Sequence, residues 1–263
     1  MRRELRFIKL LLKLRLSQMM VFRLSFFGSL FVDGSLFIFQ LLSFNAIYGQ
    51  VEAIGAWGRG EMIVFIGTFS LINAINMVVY FFGVINIPTK IKEGGLDHYL
   101  TKPINPLLRL SLENIDIGSV PLLFFSIVII AYGISQLKVS IGMGTVLLYV
   151  VFVLLMCILY YDMEVILRTI SFFVISTSSI DRLEGECIEM CMKIPGNLFK
   201  GIFKLLFCVV LPYGIMATIP AKILSKSISM RGLIYAVLIV IIFTAIMLKF
   251  WKYGLKHYKS ASS

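Results

Sequence analysis

Histidine is almost missing from this 263-residue chain: His98 and His257 are the only two, and they stand far apart. No HExxH, GxSxG or DxxD-type cluster occurs, and two isolated histidines do not supply the convergent His, Asp, Glu or Cys groups that a membrane enzyme needs near the interface. Cysteine is scarce as well. Cys187 and Cys191 are spaced i, i+4 on one helix face, but no histidine or second cysteine pair completes a zinc set, so core packing is expected for them. Nucleotide signatures are also lacking. Gly196 and Gly201 have the glycine spacing of a Walker A loop, yet Ile202 and Phe203 stand where Lys and Ser/Thr must reach the phosphates and magnesium. The "IGMGT" stretch at residues 141–145 lacks the strand, the third glycine and the downstream acid of a dinucleotide fingerprint. The expectation is a chain that is not an enzyme and binds no cofactor itself.

Charge is the largest deficit. Only 15% of residues are charged while 59% are hydrophobic, and the mean hydropathy is +0.93, against about 25% and roughly 45–50% in ordinary soluble domains. A soluble fold cannot hide so much apolar surface, and apolar runs of span length recur along the chain. They predict about six transmembrane helices, at Phe26 to Tyr48, Met62 to Ile87, Val120 to Leu137, Gly144 to about Val174, Ile202 to Leu224, and Leu233 to Phe250. No cleavable signal peptide is expected, because a long basic stretch precedes the first apolar core.

Basic residues gather at Arg2, Arg3, Arg6, Lys9, Lys13, Arg15 and Arg23, at Lys90, Lys92, Lys102 and Arg109, and at Lys249, Lys252, Lys256 and Lys259. With six helices all three groups fall on one side, which makes both termini cytoplasmic. Lys222, Lys226 and Arg231 fall on the other side and break the pattern. The net charge of +11 flanks apolar spans, so anionic lipid headgroups are the expected partner and nucleic acid is not.

Arg2, Arg6, Lys9 and Lys13 share one helical face, predicting an amphipathic interfacial helix over residues 1–23. A second amphipathic helix is predicted from Ser178 to Ile194, capped by Ser178 or Ser179, ended by Pro195-Gly196 and lying on the cytoplasmic surface. In "LPYGIMATIP", Pro212, Gly214 and Pro220 interrupt an apolar run around Tyr213, predicting half-helices that re-enter from the outer face, with a kinked ordinary span as the alternative. Asp33, Asp162, Glu164 and Arg168 lie within or beside the spans, where charges mark pairs or pathways. Glu164 and Arg168 are placed i, i+4 with the acid first, the order of a same-helix ion pair. If the fourth span ends near Tyr161, its charges are interfacial instead.

Between the second and third spans lies the polar island "IKEGGLDHYLTKPINPL". Gly94-Gly95 allows a sharp turn, Asp97 is placed to cap a short helix, Pro103 with Pro106 ends it, and Leu96, Tyr99 and Leu100 form an apolar ridge. The same residues would also suit an inert polar hairpin. This loop resembles that of ABC exporter permeases of the type-2 class, more narrowly the daunorubicin- or viologen-exporter permease group, through Ile91, Gly95, Leu96, Asp97, Leu100, Lys102, Pro103 and Leu107. "IGAWGRGEMIVFIG" is similar to that family's approach to its second helix. "RTISFFVIST" resembles its aromatic-ended fourth helix, with Phe173 in place of the usual Trp. The segment from Lys193 to Leu224 resembles its proline-broken fifth. The likeness covers about Ile54 to Leu224.

The resemblance implies an all-α integral membrane protein forming one permease domain over residues 1–263, with an N-terminal interfacial helix, a coupling loop at 88–118, a cytoplasmic amphipathic helix at 178–197 and a broken or re-entrant fifth helix. Its partners would be an ABC ATPase subunit that holds ATP and magnesium, a second permease, identical or paralogous, and an amphipathic or lipophilic substrate for export across a prokaryotic plasma membrane. Glu93, Gly94, Gly95, Leu96, Asp97, Tyr99, Leu100, Lys102 and Pro103 would seat on the ATPase, and the helix broken at Pro212, Tyr213, Gly214 and Pro220 would close the outer gate. The alternative is a self-contained secondary transporter or channel using Asp33, Glu164 and Arg168, against which the lack of inverted repeats weighs.

Overall fold

The structure, a computed structural model, describes residues 48–137, 139–174 and 176–258, with scattered positions between 28 and 46. The expected interfacial helix, most of the first span and Asp33 lie outside the described residues.

A two-stranded antiparallel ribbon, β1 (Ala53–Ile54) and β2 (Trp57–Gly58), leads into the first long helix. There the Gly58 amide donates to Glu61 Oε2 at 2.8 Å, satisfying an orphan donor at the helix start. Among the described residues, four helices are long and apolar enough to cross a membrane: α1 (Arg59–Lys92), α4 (Ile117–Gln136), α5 (Met143–Phe172) and α9 (Met230–His257). Between α1 and α4 lie the short helices α2 (Asp97–Leu100) and α3 (Pro106–Leu112). Helix α6 (Ser178–Lys193) follows α5. The pair α7 (Gly201–Val210) and α8 (Tyr213–Leu224) is bent by 84°. The fold is therefore a helical membrane bundle, as composition and periodicity predicted.

Small residues set the closest packing. A Cβ added at Gly67 would lie 2.8 Å from Ile130 Cγ1, and one at Gly133 would lie 2.8 Å from the Val64 backbone nitrogen, so α1 and α4 touch backbone to backbone. Gly133→Val is expected to destabilise the bundle by about 1–3 kcal/mol through overpacking. The check is the melting midpoint of the detergent-solubilised chain, with Gly142→Val as a silent control, since nothing lies within 4 Å of a Cβ there.

The long helices keep a common register. Thr68 and Tyr149 hydroxyls meet at 3.0 Å, Tyr160 donates to Asn73 at 3.3 Å, and Tyr80 donates to the Cys157 carbonyl at 3.1 Å. Thus α1 and α5 run in the same direction. Their C-terminal ends share a loop end of the bundle with α2 and with the C-terminus of α9, where Phe173 stacks on Phe250. The Trp57 and Gly142 ends form the opposite, turn end.

That register corrects the placement of α6. Near its start Asp181 and Glu184 contact Arg168 at the loop end, and just past its finish Asn197 accepts from Trp57 Nε1 at the turn end, at 2.9 Å. Its 16 residues rise about 24 Å, so α6 crosses the depth of the bundle rather than lying along one surface. Its polarity conceals this from a hydropathy window, because Arg182, Glu186, Glu189 and Lys193 occupy one stripe. The cap also differs: Thr177 takes the N-cap position without a side-chain cap hydrogen bond, ahead of Ser178 and Ser179. Helix α5 continues past Tyr161 to Phe172, so Asp162, Glu164 and Arg168 lie on an unbroken helix.

Candidate functional site

At the loop end the island forms a clasp. Gly94 turns the chain at φ +71°, a conformation glycine adopts freely. The four-residue α2 that follows has Leu96, not Asp97, at its N-cap, with no side-chain cap hydrogen bond. Pro106 does not end α2; it opens α3, whose first amides are accepted by the Asn105 side chain. The expected ridge is divided as well. Leu96 is 0% and Tyr99 6% exposed, while Leu100 is 41% exposed.

Leu96 and Tyr99 belong to a core with Val84, Leu110, Val165, Met247 and Trp251, which ties α2 to α1, α3, α5 and α9. Lys90 donates to the Tyr99 hydroxyl, which donates to Glu113, while Lys90 and Glu113 pair at 3.2 Å. The Arg109 guanidinium sits 4.6 Å from the Tyr99 ring centre. Burial, then the Glu113 carboxylate beside it, holds the Tyr99 phenol above its ordinary pKa, so it stays a donor. Of the residues expected to seat on an ATPase, Glu93, Leu100, Lys102 and Pro103 are exposed, Gly94, Gly95 and Asp97 are half-buried, and Leu96 and Tyr99 are buried.

One turn deeper is a charge network that sequence spacing revealed only in part. Glu164 and Arg168 do pair, at 3.0 Å, with residue exposures of 1% and 2%. The second half of the network comes from α6: Glu184, 5% exposed, accepts from Arg168 Nη1 at 2.5 Å, and Asp181 lies 3.5 Å from the same nitrogen. Tyr213, the first residue of α8, donates to Glu184 Oε1 at 2.6 Å. A single guanidinium, with its fork of donors, thus joins α5 to α6, and Tyr213 carries the link to the bent pair. Nothing in α6 alone marked Glu184, because its partners lie 16 and 29 residues away. Asp162 stands apart from this set and accepts from Thr244 of α9 at 2.5 Å.

The bend between α7 and α8 falls at Leu211-Pro212, where proline lacks the donor a helix requires. Polar groups around the bend are answered both from α9 and from within α8. Tyr235 of α9 donates to the Cys208 carbonyl, and Thr218 accepts from the Gly196 amide at 2.8 Å while donating to the Gly214 carbonyl at 2.7 Å. This meets the rule that non-helical backbone at membrane depth must be enclosed by protein. Gly214 is required by closeness: a Cβ there would lie 2.8 Å from the Phe207 carbonyl oxygen. Pro220, by contrast, sits inside α8 without breaking it. Helices α7 and α8 meet at 84° as an open hairpin with Pro212, Tyr213 and Gly214 at its tip.

A family model described as ABC-2 family transporter protein matches residues 35–262. No curated protein and no solved structure matches the chain.

Proposed function

Since the chain belongs to the ABC-2 transporter family, the membrane components of ABC transporters, we propose that it is the permease subunit of an ATP-driven exporter, coupled to a separate ATPase through the surface of α2. The observation that carries this reading is the division of the clasp. Leu100, Lys102 and Pro103 stand outward for a partner, while Leu96 and Tyr99, in the same short segment, are clamped to α1, α5 and α9. A push on the outward face therefore reaches Val165, the neighbour of Glu164, and through Arg168 and Glu184 the hairpin tip at Tyr213. In this reading the loop end is cytoplasmic, both termini with it, and the hairpin is the outer gate of a permease in a prokaryotic plasma membrane.

The polar stripe of α6 supports a paired pathway. Arg182, Glu186, Glu189 and Lys193 are exposed on a helix that crosses the bundle, and charges at that depth do not face lipid. Two permeases, identical or paralogous, setting their α6 helices across a shared polar path would relieve this. ATP and magnesium belong to the ATPase, and an amphipathic or lipophilic substrate suits walls that are part stripe and part apolar. The self-contained carrier finds less support, since Glu164 and Arg168 are engaged with each other.

Purification from native membranes in mild detergent tests the proposal. Wild type is expected to retain a Walker-motif ATPase that Leu100→Glu with Lys102→Glu loses, the variant keeping its elution volume. Proton-driven flux by the wild-type chain alone would instead support the carrier.

A further inference from the structure

Lys222, one of the three basic residues that break the charge pattern of the other loops, lines a cavity together with Lys204. A groove of about 660 Å³ opens between the α7–α8 hairpin and the start of α9. Its polar lining includes Lys204 and Lys222, with Ser229 and Gly232 from the first turn of α9, and its walls include Leu205 and Ile219. Among the described residues, no carboxylate lines it. Glu61, whose charge Lys222 feels from outside the groove, is already engaged by the Gly58 amide at 2.8 Å.

Three unfavourable features meet here. Cations collect at the end of the bundle where the proposed orientation disfavours them. The first turn of the 28-residue α9 contains Arg231 and no acid, although a helix N-terminus favours negative charge. Lys222 is half-buried in apolar walls. One bound anion relieves all three, and Ile202, Phe203 and Val210 on the same hairpin, 76%, 55% and 53% exposed, give this flank an apolar surface suited to the hydrocarbon phase.

We propose that this groove is a binding site for an anionic phospholipid of the leaflet at the turn end. The phosphate sits between Lys204, Lys222 and the first turn of α9, and an acyl chain lies along Leu205 and Ile219. A lipid so held bridges the hairpin and the last span, bracing the gate from its membrane side. The leaflet, the bracing of a gate and the first of the three features rest on the permease reading; the groove, its two lysines and the uncompensated first turn of α9 do not.

The test uses the purified full chain in nanodiscs of phosphatidylcholine, with phosphatidylglycerol of the same acyl chains titrated in and the bound lipid counted by native mass spectrometry. Wild type is expected to retain phosphatidylglycerol. Lys204→Gln with Lys222→Gln is expected to bind it about twenty-five-fold more weakly, roughly fivefold for each lysine near an anionic headgroup, and Lys252→Gln with Lys256→Gln at the other end should bind as wild type does. Melting in pure phosphatidylcholine establishes that the variants fold; should the double variant fail, Lys204→Gln alone is expected to show the fivefold loss. Equal retention by the groove variant and wild type overturns the proposal, as does equal loss in the distal control. Displacement of the lipid by inorganic phosphate at matched charge overturns the lipid as occupant and leaves a free-anion site. No ATPase or transport enters the measurement, so its failure leaves the permease reading standing and the failure of that reading leaves this site untouched.

Discussion

Arg168→Leu is expected to remove the folded protein from the membrane. The substitution leaves Glu164 and Glu184 facing each other, both nearly inaccessible, with no cation between them. Removing one partner of a buried ion pair costs about 3–5 kcal/mol, comparable to much of the roughly 5–15 kcal/mol that holds a typical domain together. Arg168→Lys keeps the charge but loses the fork that reaches α5 and α6 together, so it should fall between. The decisive comparison is Arg168→Leu combined with Glu164→Gln and Glu184→Gln, which removes the stranded charges and is expected to recover most of the folded fraction. Size-exclusion profiles of detergent extracts with melting midpoints read all four proteins. A fully stable Arg168→Leu would mean that the network does not hold α6 in place.

Tyr99→Ala and Leu100→Glu, on adjacent residues, are expected to fail in opposite ways. Tyr99→Ala opens the clasp: it empties a buried ring site and removes the hydroxyl that bridges Lys90 and Glu113, and a cavity left by a large aromatic costs about 3–5 kcal/mol. Its melting midpoint should fall, and transport should fall with the amount of folded protein. Leu100→Glu with Lys102→Glu touches only exposed positions, so folding should be unchanged while ATP-driven transport in proteoliposomes drops at least about tenfold, the effect of removing an interface anchor. Identical melting and identical transport in both would show that the surface of α2 is inert.

Much of the architecture was legible because apolar runs of span length leave few alternatives, and because Pro212 cannot continue a helix. Glu164 and Arg168 could be paired from spacing alone, since i, i+4 neighbours share a face. Helix α6 was misplaced for a physical reason. A helix that crosses a bundle beside a polar path has the same amphipathic pattern as one lying on a membrane surface, and only Asp181 with Arg168 at one end and Asn197 with Trp57 at the other distinguish the two. The apolar residues of α2 could likewise be recognised but not sorted. On a single helical turn, periodicity does not say which side faces the protein, so Leu96 and Tyr99 could not be told from Leu100. Glu184 was hidden because its partners come from distant segments, and the groove beside Lys204 and Lys222 because it forms only when the hairpin folds back on α9.

The outward face of α2 is reached most directly by a photo-crosslinking amino acid placed at Leu100 and irradiated in native membranes, with the same probe at Leu96 as a buried control. The account predicts an adduct between position 100 and an ATP-hydrolysing subunit, and none from position 96. Adducts from position 100 to lipid alone, in membranes where the chain is folded and transporting, would contradict it.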